Sequence, residues 1–193
     1  PSSDDDTVIP MDLIRAAVDR DVSLTASEPI IWGLDVARFG GDNSALCVRQ
    51  GNTVLEIKSF ASMDLMQLCG VVKNRYDDAT VLERPQEILI DVIGIGAGVV
   101  DRLREQNLPV RGVNVSESSS TKKNYLNLRA ELWFAIKDWL AQRDCRLPID
   151  DELASELAAP LYKYTSTGKI KIESKDEMRK RGIKSPDKAD ALA

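Results

Sequence analysis

The chain contains no histidine. That removes every mechanism built on an imidazole base, relay or ligand. Cysteine is scarce as well: Cys47, Cys69 and Cys145 are odd in number, widely spaced and form no CxxC pair. Neither a zinc site nor a disulfide framework is expected, and a reducing compartment fits. A catalytic thiol would also lack its usual histidine partner. No apolar run reaches membrane-spanning length. The opening stretch PSSDDDTVIP has no basic region and no apolar core, so it is not a signal peptide. It has no initiator Met, and the last residues read as the inside of a helix, so a piece of a longer protein is expected. The net charge of −5 gives no overall attraction to nucleic acid. What remains for metal and proton chemistry is Asp and Glu, 31 of the 193 residues.

The hydrophobic content of 43% is ample for one packed core. Residues 1–28 read as an acidic, Ser-rich lead followed by a short amphipathic helix, a connector outside the main core. The main domain is expected over residues 29–193. Three strands come first: Ile30–Ala37, Ser44–Arg49 and Thr53–Phe60, with Gly51-Asn52 as the turn between the last two. Asp64 can cap a helix reaching Tyr76, with Leu65, Leu68, Cys69, Val72 and Tyr76 as its apolar stripe. A short buried strand, Glu87–Ile93, leads through Gly94-Ile95-Gly96-Ala97-Gly98 into a helix that runs to Gln106. Pro109–Val115 is the fifth strand, and residues 116–124 form a polar loop. The clearest periodicity lies in a helix over Leu126–Arg143, with Leu132, Ala135, Ile136, Trp139 and Leu140 on one face. Asp150 or Asp151 caps a further helix, Leu161–Tyr164 and Lys169–Glu173 make a hairpin, and Ser185-Pro186-Asp187 starts the last helix. This order predicts an α/β fold: a mixed five-stranded sheet, three antiparallel strands then two parallel, helices on both faces and a C-terminal β-hairpin. Right-handed crossovers place the fourth strand beside the first.

Two acids stand where acids are costly. Asp35 interrupts IIWGLDVA and Asp91 interrupts ILIDVI, both core strands by composition. A buried carboxylate must be paired, hydrogen-bonded, metal-bound or neutral. Either one alone is readily an ordinary hydrogen-bonded carboxylate. Two on neighbouring strands repel unless a cation lies between them, and Mg²⁺ or Mn²⁺ with its taste for oxygen is the natural stabiliser. The tail SPDKADALA adds Asp187 and Asp190, three apart on one helix face. Asp187 suits the first turn of that helix and its dipole. Asp190 lies deeper among Ala189, Ala191 and Leu192, so it ranks as the ligand and Asp187 as the auxiliary acid. Three carboxylates can hold two divalent ions roughly 3.5–4 Å apart, the arrangement that serves in-line attack on a phosphodiester. Asp42 reads as a turn residue, with an approach to the same site as the alternative.

Locally the charge is different. Lys163, Lys169, Lys171, Lys175, Arg179, Lys180, Arg181, Lys184 and Lys188 crowd the segment that leads to Asp187. Lys175, Arg179 and Arg181, with Lys122 and Lys123 in the polar loop, are the candidate phosphate contacts; each taken singly also fits a solvated surface. Arg129 either pairs nearby or braces the acids, and Trp133, Trp139 and Tyr125 read as packing residues. A rival function comes from Gly94-x-Gly96 between strand and helix with Glu117 about 20 residues on, a dinucleotide-binding arrangement. Val99 occupies its third glycine position and only one such unit exists, so the glycines are better explained by a tight turn and close backbone approach beside Asp91.

Taken together, GLDVARFGGDNSAL, IDVIGIGAGVVDRL, NLRAELW and IESKDEMRKRGIKSPDKADAL resemble the C-terminal nuclease domain of tailed-bacteriophage terminase large subunits, within the ribonuclease H-like superfamily. The resemblance runs from about residue 30 to the end. The lead before it is similar to the segment joining that domain to an ATPase motor, and no GxxxxGK[ST] occurs here. The resemblance implies an endonuclease that cuts concatemeric double-stranded DNA during genome packaging, in the cytoplasm of the host cell, with Mg²⁺ or Mn²⁺. It implies metal-binding and catalytic roles for Asp35, Asp91 and Asp190, with Asp187 as the motif's first acid. It also implies a terminase small subunit and a portal protein as partners, and no membrane. Two other functions remain open on the sequence: a junction resolvase or integrase-like nuclease of the same fold, and a DNA-docking module without catalysis.

Overall fold

The computed structural model describes residues 6–37, 42–119 and 124–193. Its elements, in chain order, are α1 (Met11–Ala17), β1 (Ile30–Asp35), β2 (Ser44–Gln50), β3 (Thr53–Phe60), α2 (Leu65–Asp78), β4 (Glu87–Asp91), α3 (Gly96–Glu105), β5 (Val110–Val113), α4 (Leu128–Ala141), α5 (Asp151–Ala158), β6 (Tyr162–Tyr164), β7 (Ile170–Ile172), α6 (Lys175–Lys180) and α7 (Asp187–Leu192). One sheet holds five strands in the order β3-β2-β1-β4-β5, and β6-β7 form a separate hairpin. The β1–β2 and β2–β3 pairs are antiparallel, while β4 runs parallel to both β1 and β5. The mixed sheet and the C-terminal hairpin are those expected from the sequence.

Burial alternates along β1, which sorts its residues to two faces. Trp32, Leu34, Leu46, Val48, Ile88 and Ile90 pack one face against Leu68 and Val72 of α2 and Val99 and Leu103 of α3. The other face, through Ala45, Cys47, Val54 and Ile57, meets α1, α4, α5 and α7. Asp35 pairs with Ala45, so it shares this second face. The parallel register runs to Leu34 opposite Ile90. One residue further, Asp35 and Asp91 stand at the ends of adjacent strands, as the crossover argument expected.

The helix boundaries follow local chemistry. Asp64 and Gln67 make a reciprocal capping box on α2, as Ser174 and Glu177 do on α6. Asn127 accepts from the Ala130 amide at the start of α4, at 3.0 Å. The helix α6 was not anticipated: six residues of KDEMRK carry no apolar period, and only the Ser-x-x-Glu signal marks its start. The lead segment is also not outside the core. Val8, Ile9, Ile14 and Ala17 have no exposed surface and belong to the cluster under α4 and α5. Backbone bonds from Val8 N to Pro160 O and from Tyr162 N to Asp6 O tie it to the hairpin.

Two glycines set the approach of backbones to the acid-bearing strands. A Cβ on Gly33 would lie 2.0 Å from the Ala191 carbonyl oxygen, so α7 rests directly on the backbone of β1. A Cβ on Gly96 would lie 1.8 Å from the Asp91 carbonyl oxygen, which is the close approach beside Asp91 expected of this glycine-rich turn.

Candidate metal centre

Four acids come from three elements. Asp35 ends β1, Asp91 ends β4, and Asp187 and Asp190 lie on α7. The seat at Gly33 brings α7 over β1, and Lys175 at the start of α6 enters from the side. Its Nζ lies 3.0 Å from Asp35 Oδ2, 3.2 Å from Asp190 Oδ2 and 3.5 Å from Asp187 Oδ1. Three carboxylates from opposite ends of the chain thus share one ammonium. Asp91 makes no such contact; its Oδ1 accepts from the Ile93 amide at 3.1 Å. It joins the others by lining the same cavity of about 270 Å³, with Asp35, Asp190, Arg129, Trp133 and Lys175. Among the described residues, no group of three acidic or thiol side chains encloses a single ion as it stands. The ammonium holds the centre of the acids.

Asp190 is the most constrained of the four. Trp133 Nε1 donates to its Oδ1 at 3.0 Å and Arg129 Nη2 donates to the same oxygen at 3.1 Å. Arg129 also donates to the Glu173 carbonyl at 2.9 Å and lies over the Trp133 ring. Oδ1 takes both of the shorter contacts, while Oδ2 meets Lys175 at 3.2 Å and Arg129 Nη2 at 3.5 Å. Asp187 is held differently: its Oδ2 accepts from the Asn43 amide at 2.9 Å, tying α7 to the start of β2.

Burial is the leading influence on every one of these acids. It pushes Asp35 up to about 7, against the pull of Lys175 and with repulsion from Asp190 adding to it. It raises Asp91, with the Ile93 amide opposing, and raises Asp187, with Asn43 and Lys175 opposing. In Asp190 burial also acts upward, but Arg129 and Lys175 outweigh it and hold the carboxyl below its ordinary range. Lys175 is raised by Asp190, Asp35 and Asp187 against its own burial. The group is thus a net acidic pocket compensated by two cations, Lys175 among the acids and Arg129 against Asp190. All of the available donors are carboxylate oxygens, which suits a hard divalent ion rather than a soft one.

The other residues singled out from the sequence lie further out. Arg179 pairs with Asp42 and, at 2.7 Å, with Asp176. Asp42 is thereby tied to α6 and lies outside the acid-lined cavity. Arg181 forms two contacts to Glu173, at 2.7 and 2.6 Å. Lys122 and Lys123 lie outside the described residues. Arg129 is the brace that the sequence left undecided. Trp133 is fully buried, as expected of a packing residue, but its indole N–H also serves the site. That contact, the Asn43 amide and the Gly33 seat were not anticipated. Only Gly33 had a sequence signal, as a glycine inside a β-branched run.

A five-stranded mixed sheet in the order β3-β2-β1-β4-β5, with β1, β4 and β5 parallel and helices packed on it, is consistent with a ribonuclease H-like fold. Within that class the fold is that of phage large-terminase nuclease domains. The nuclease domain of the large terminase subunit of bacterial virus Sf6 superposes with a TM-score of 0.80 at 21% identity, covering 96% of each chain. A mutant of that domain with manganese gives 0.81 at 21%, again over 96% of each chain. The large terminase nuclease from thermophilic phage G20c with bound magnesium gives 0.70 at 14%, covering 100% of this chain and 96% of the other. At these identities the likeness is one of fold. No family model matches the sequence, and no curated protein matches it.

Proposed function

We propose that this chain is the endonuclease domain of a viral DNA-packaging terminase large subunit. It hydrolyses phosphodiester bonds of concatemeric double-stranded DNA with two divalent ions, Mg²⁺ or Mn²⁺, held by Asp35, Asp91 and Asp190 and assisted by Asp187. The observation that carries this reading is the convergence of Asp35, Asp187 and Asp190 on the Lys175 ammonium at the mouth of a cavity that Asp91 also lines. The ammonium stands where a cation would, and its place among the acids supports a pocket suited to positive charge. The manganese- and magnesium-containing neighbours of the same fold support the choice of ions.

When bound, the ions supply the activated water and the charge that steadies the attacking and leaving oxygens of the scissile phosphate. The chain's own residues do the rest. Arg129 and Trp133 fix Asp190 chiefly through Oδ1, with a longer Arg129 contact to Oδ2. The Asn43 amide fixes Asp187 through Oδ2 and leaves Oδ1. Asp91 is held by the Ile93 amide. Lys175 yields its place among the acids, which frees a cation to face the phosphate backbone. Lys180 and Lys184, exposed on the same segment, continue the positive surface outward. In this setting duplex DNA is the substrate, and the terminase small subunit and portal are the partners.

The test is plasmid nicking in Mn²⁺. Asp35→Ala, Asp91→Ala and Asp190→Ala should each lower cutting by at least about a hundredfold, since each loss removes charge stabilisation worth several kcal/mol. Cutting by all three at the wild-type rate would reject the metal assignment. Cutting restricted to branched DNA would turn the reading toward a junction resolvase.

A further inference from the structure

The helix that carries Asp187 and Asp190 does not cap itself. Its N-cap residue is Pro186, which offers no side-chain acceptor. Intrahelical bonding starts with the Asp190 amide on the Pro186 carbonyl at 2.8 Å, so the amides of Asp187, Lys188 and Ala189 fall in the unpaired first turn. The Ala189 amide, one residue before Asp190, is instead met from another element: Glu156 Oε2 on α5 accepts from it at 3.0 Å. The same helix is gripped a second time. Lys188, between the two acids in sequence, points away from them and reaches Asp150 Oδ2 and Glu152 Oε2, both at 2.7 Å. Its side chain is only 11% exposed and Asp150 is nearly as sheltered, so that contact is largely withdrawn from solvent, while Glu152 stays exposed. Asp150 in turn accepts from the Leu153 amide at 2.9 Å, fixing it at the start of α5. None of these groups enters the acid-lined cavity.

We propose that Glu156 is a positioning residue for the metal centre, supplying from α5 the cap that α7 lacks, with the Lys188–Asp150 pair as its second clamp. This rests on the metal-centre reading given above. The pair of contacts sets the tilt and depth of α7 over β1. Both functional carboxylates on α7 then meet the sheet at one height. The requirement is for an acceptor oxygen at Glu156, since a backbone N–H is what it serves. Burial raises the Glu156 carboxyl to about 7, so a neutral side chain that keeps the oxygen is a fair substitute.

The deciding comparison is Glu156→Gln against Glu156→Met in this 193-residue chain, two side chains of similar length with and without the oxygen. Amide hydrogen exchange at Ala189 reads the cap without reference to any metal. Mn²⁺ titration calorimetry reads its consequence. Glu156→Met should speed Ala189 exchange at least tenfold and weaken Mn²⁺ binding about tenfold. Glu156→Gln should hold both within about threefold of wild type. Lys188→Met tests the second clamp and should weaken Mn²⁺ binding about threefold; it decides the matter should the Glu156→Met chain not fold. Wild-type Mn²⁺ affinity in Glu156→Met or, where that chain does not fold, in Lys188→Met, overturns the proposal, as does equal loss in Gln and Met. A wild-type chain that binds no Mn²⁺ rejects the metal-centre reading and the proposal with it. Slow Ala189 exchange in wild type would then survive as a helix cap alone.

Discussion

Lys175 holds the acids together and also blocks what they are proposed to bind. Its ammonium lies within 3.5 Å of Asp35, Asp187 and Asp190, where a divalent ion would have to compete with it. Removing it leaves like charges uncompensated in a buried pocket. Lys175→Met should therefore lower folding stability in chelator and tighten Mn²⁺ binding about tenfold; thermal unfolding with and without Mn²⁺ measures both, and a tighter hold on Mn²⁺ with unchanged metal-free stability would contradict the balance drawn here. Asp35 and Asp91 were legible in the sequence because a carboxylate inside an apolar strand is a local anomaly. The hold that Trp133 and Arg129 have on Asp190 was not legible. Trp133 reads as a packing residue outside the expected stripe of α4, and only the three-dimensional crossing of α4 and α7 gives its N–H a partner.

At the scale of elements, the site depends on how closely α7 lies on β1. Gly33 permits that contact, since any side chain there would strike the Ala191 carbonyl. Gly33→Ala should cost about 1–3 kcal/mol of stability, the range of an overpacked core, and should weaken cutting more than a surface change of equal stability cost does. Unfolding in urea together with the plasmid assay separates the two effects; wild-type behaviour in both would show that α7 is not seated there. Helix α2 was legible through its stripe and cap; α4 was legible as a helix, but its buried face runs through Ala130, Trp133, Ile136 and Leu140, and Ala135 of the expected face is exposed. The short helix α6 was hidden by its lysines, and the lead segment by its acids. VIP and MDLIRAA look like a tether until Val8, Ile9 and Ile14 are seen filling the space under α4 and α5.

For the whole molecule, the buried acids make stability depend on pH. Asp35 and Glu156 are both raised to about 7 from ordinary values of 3.8 and 4.5, and Asp91 and Asp187 are raised as well. Above pH 4.5 the unfolded chain has released these protons while the native chain retains them. Native protons exceed unfolded ones, so stability falls as pH rises through this window and levels off above about 7. The slope is on the order of 1 kcal/mol per pH unit for each such group. Thermal unfolding from pH 5 to 8 in chelator should give a falling midpoint, and saturating Mn²⁺ should flatten it by replacing the Asp35 proton. A midpoint that rises across this range would refute the burial argument. The sheet order was legible because strand spacing and crossover handedness restrict topology severely. Which side chains close the site was not, because that depends on contacts between residues far apart in the chain.

The seat of α7 on Gly33 also fixes when the acid cluster can form. β1 to β5 with α2 and α3 pack one face of the sheet entirely from residues that precede α4. Asp187 and Asp190 arrive only with the last helix, and they must dock onto a strand made long before. A ribosome-bound chain can therefore fold most of its sheet while its acids are still an incomplete set. During synthesis the sheet precedes the acid cluster, which closes only once α7 has emerged and settled on Gly33.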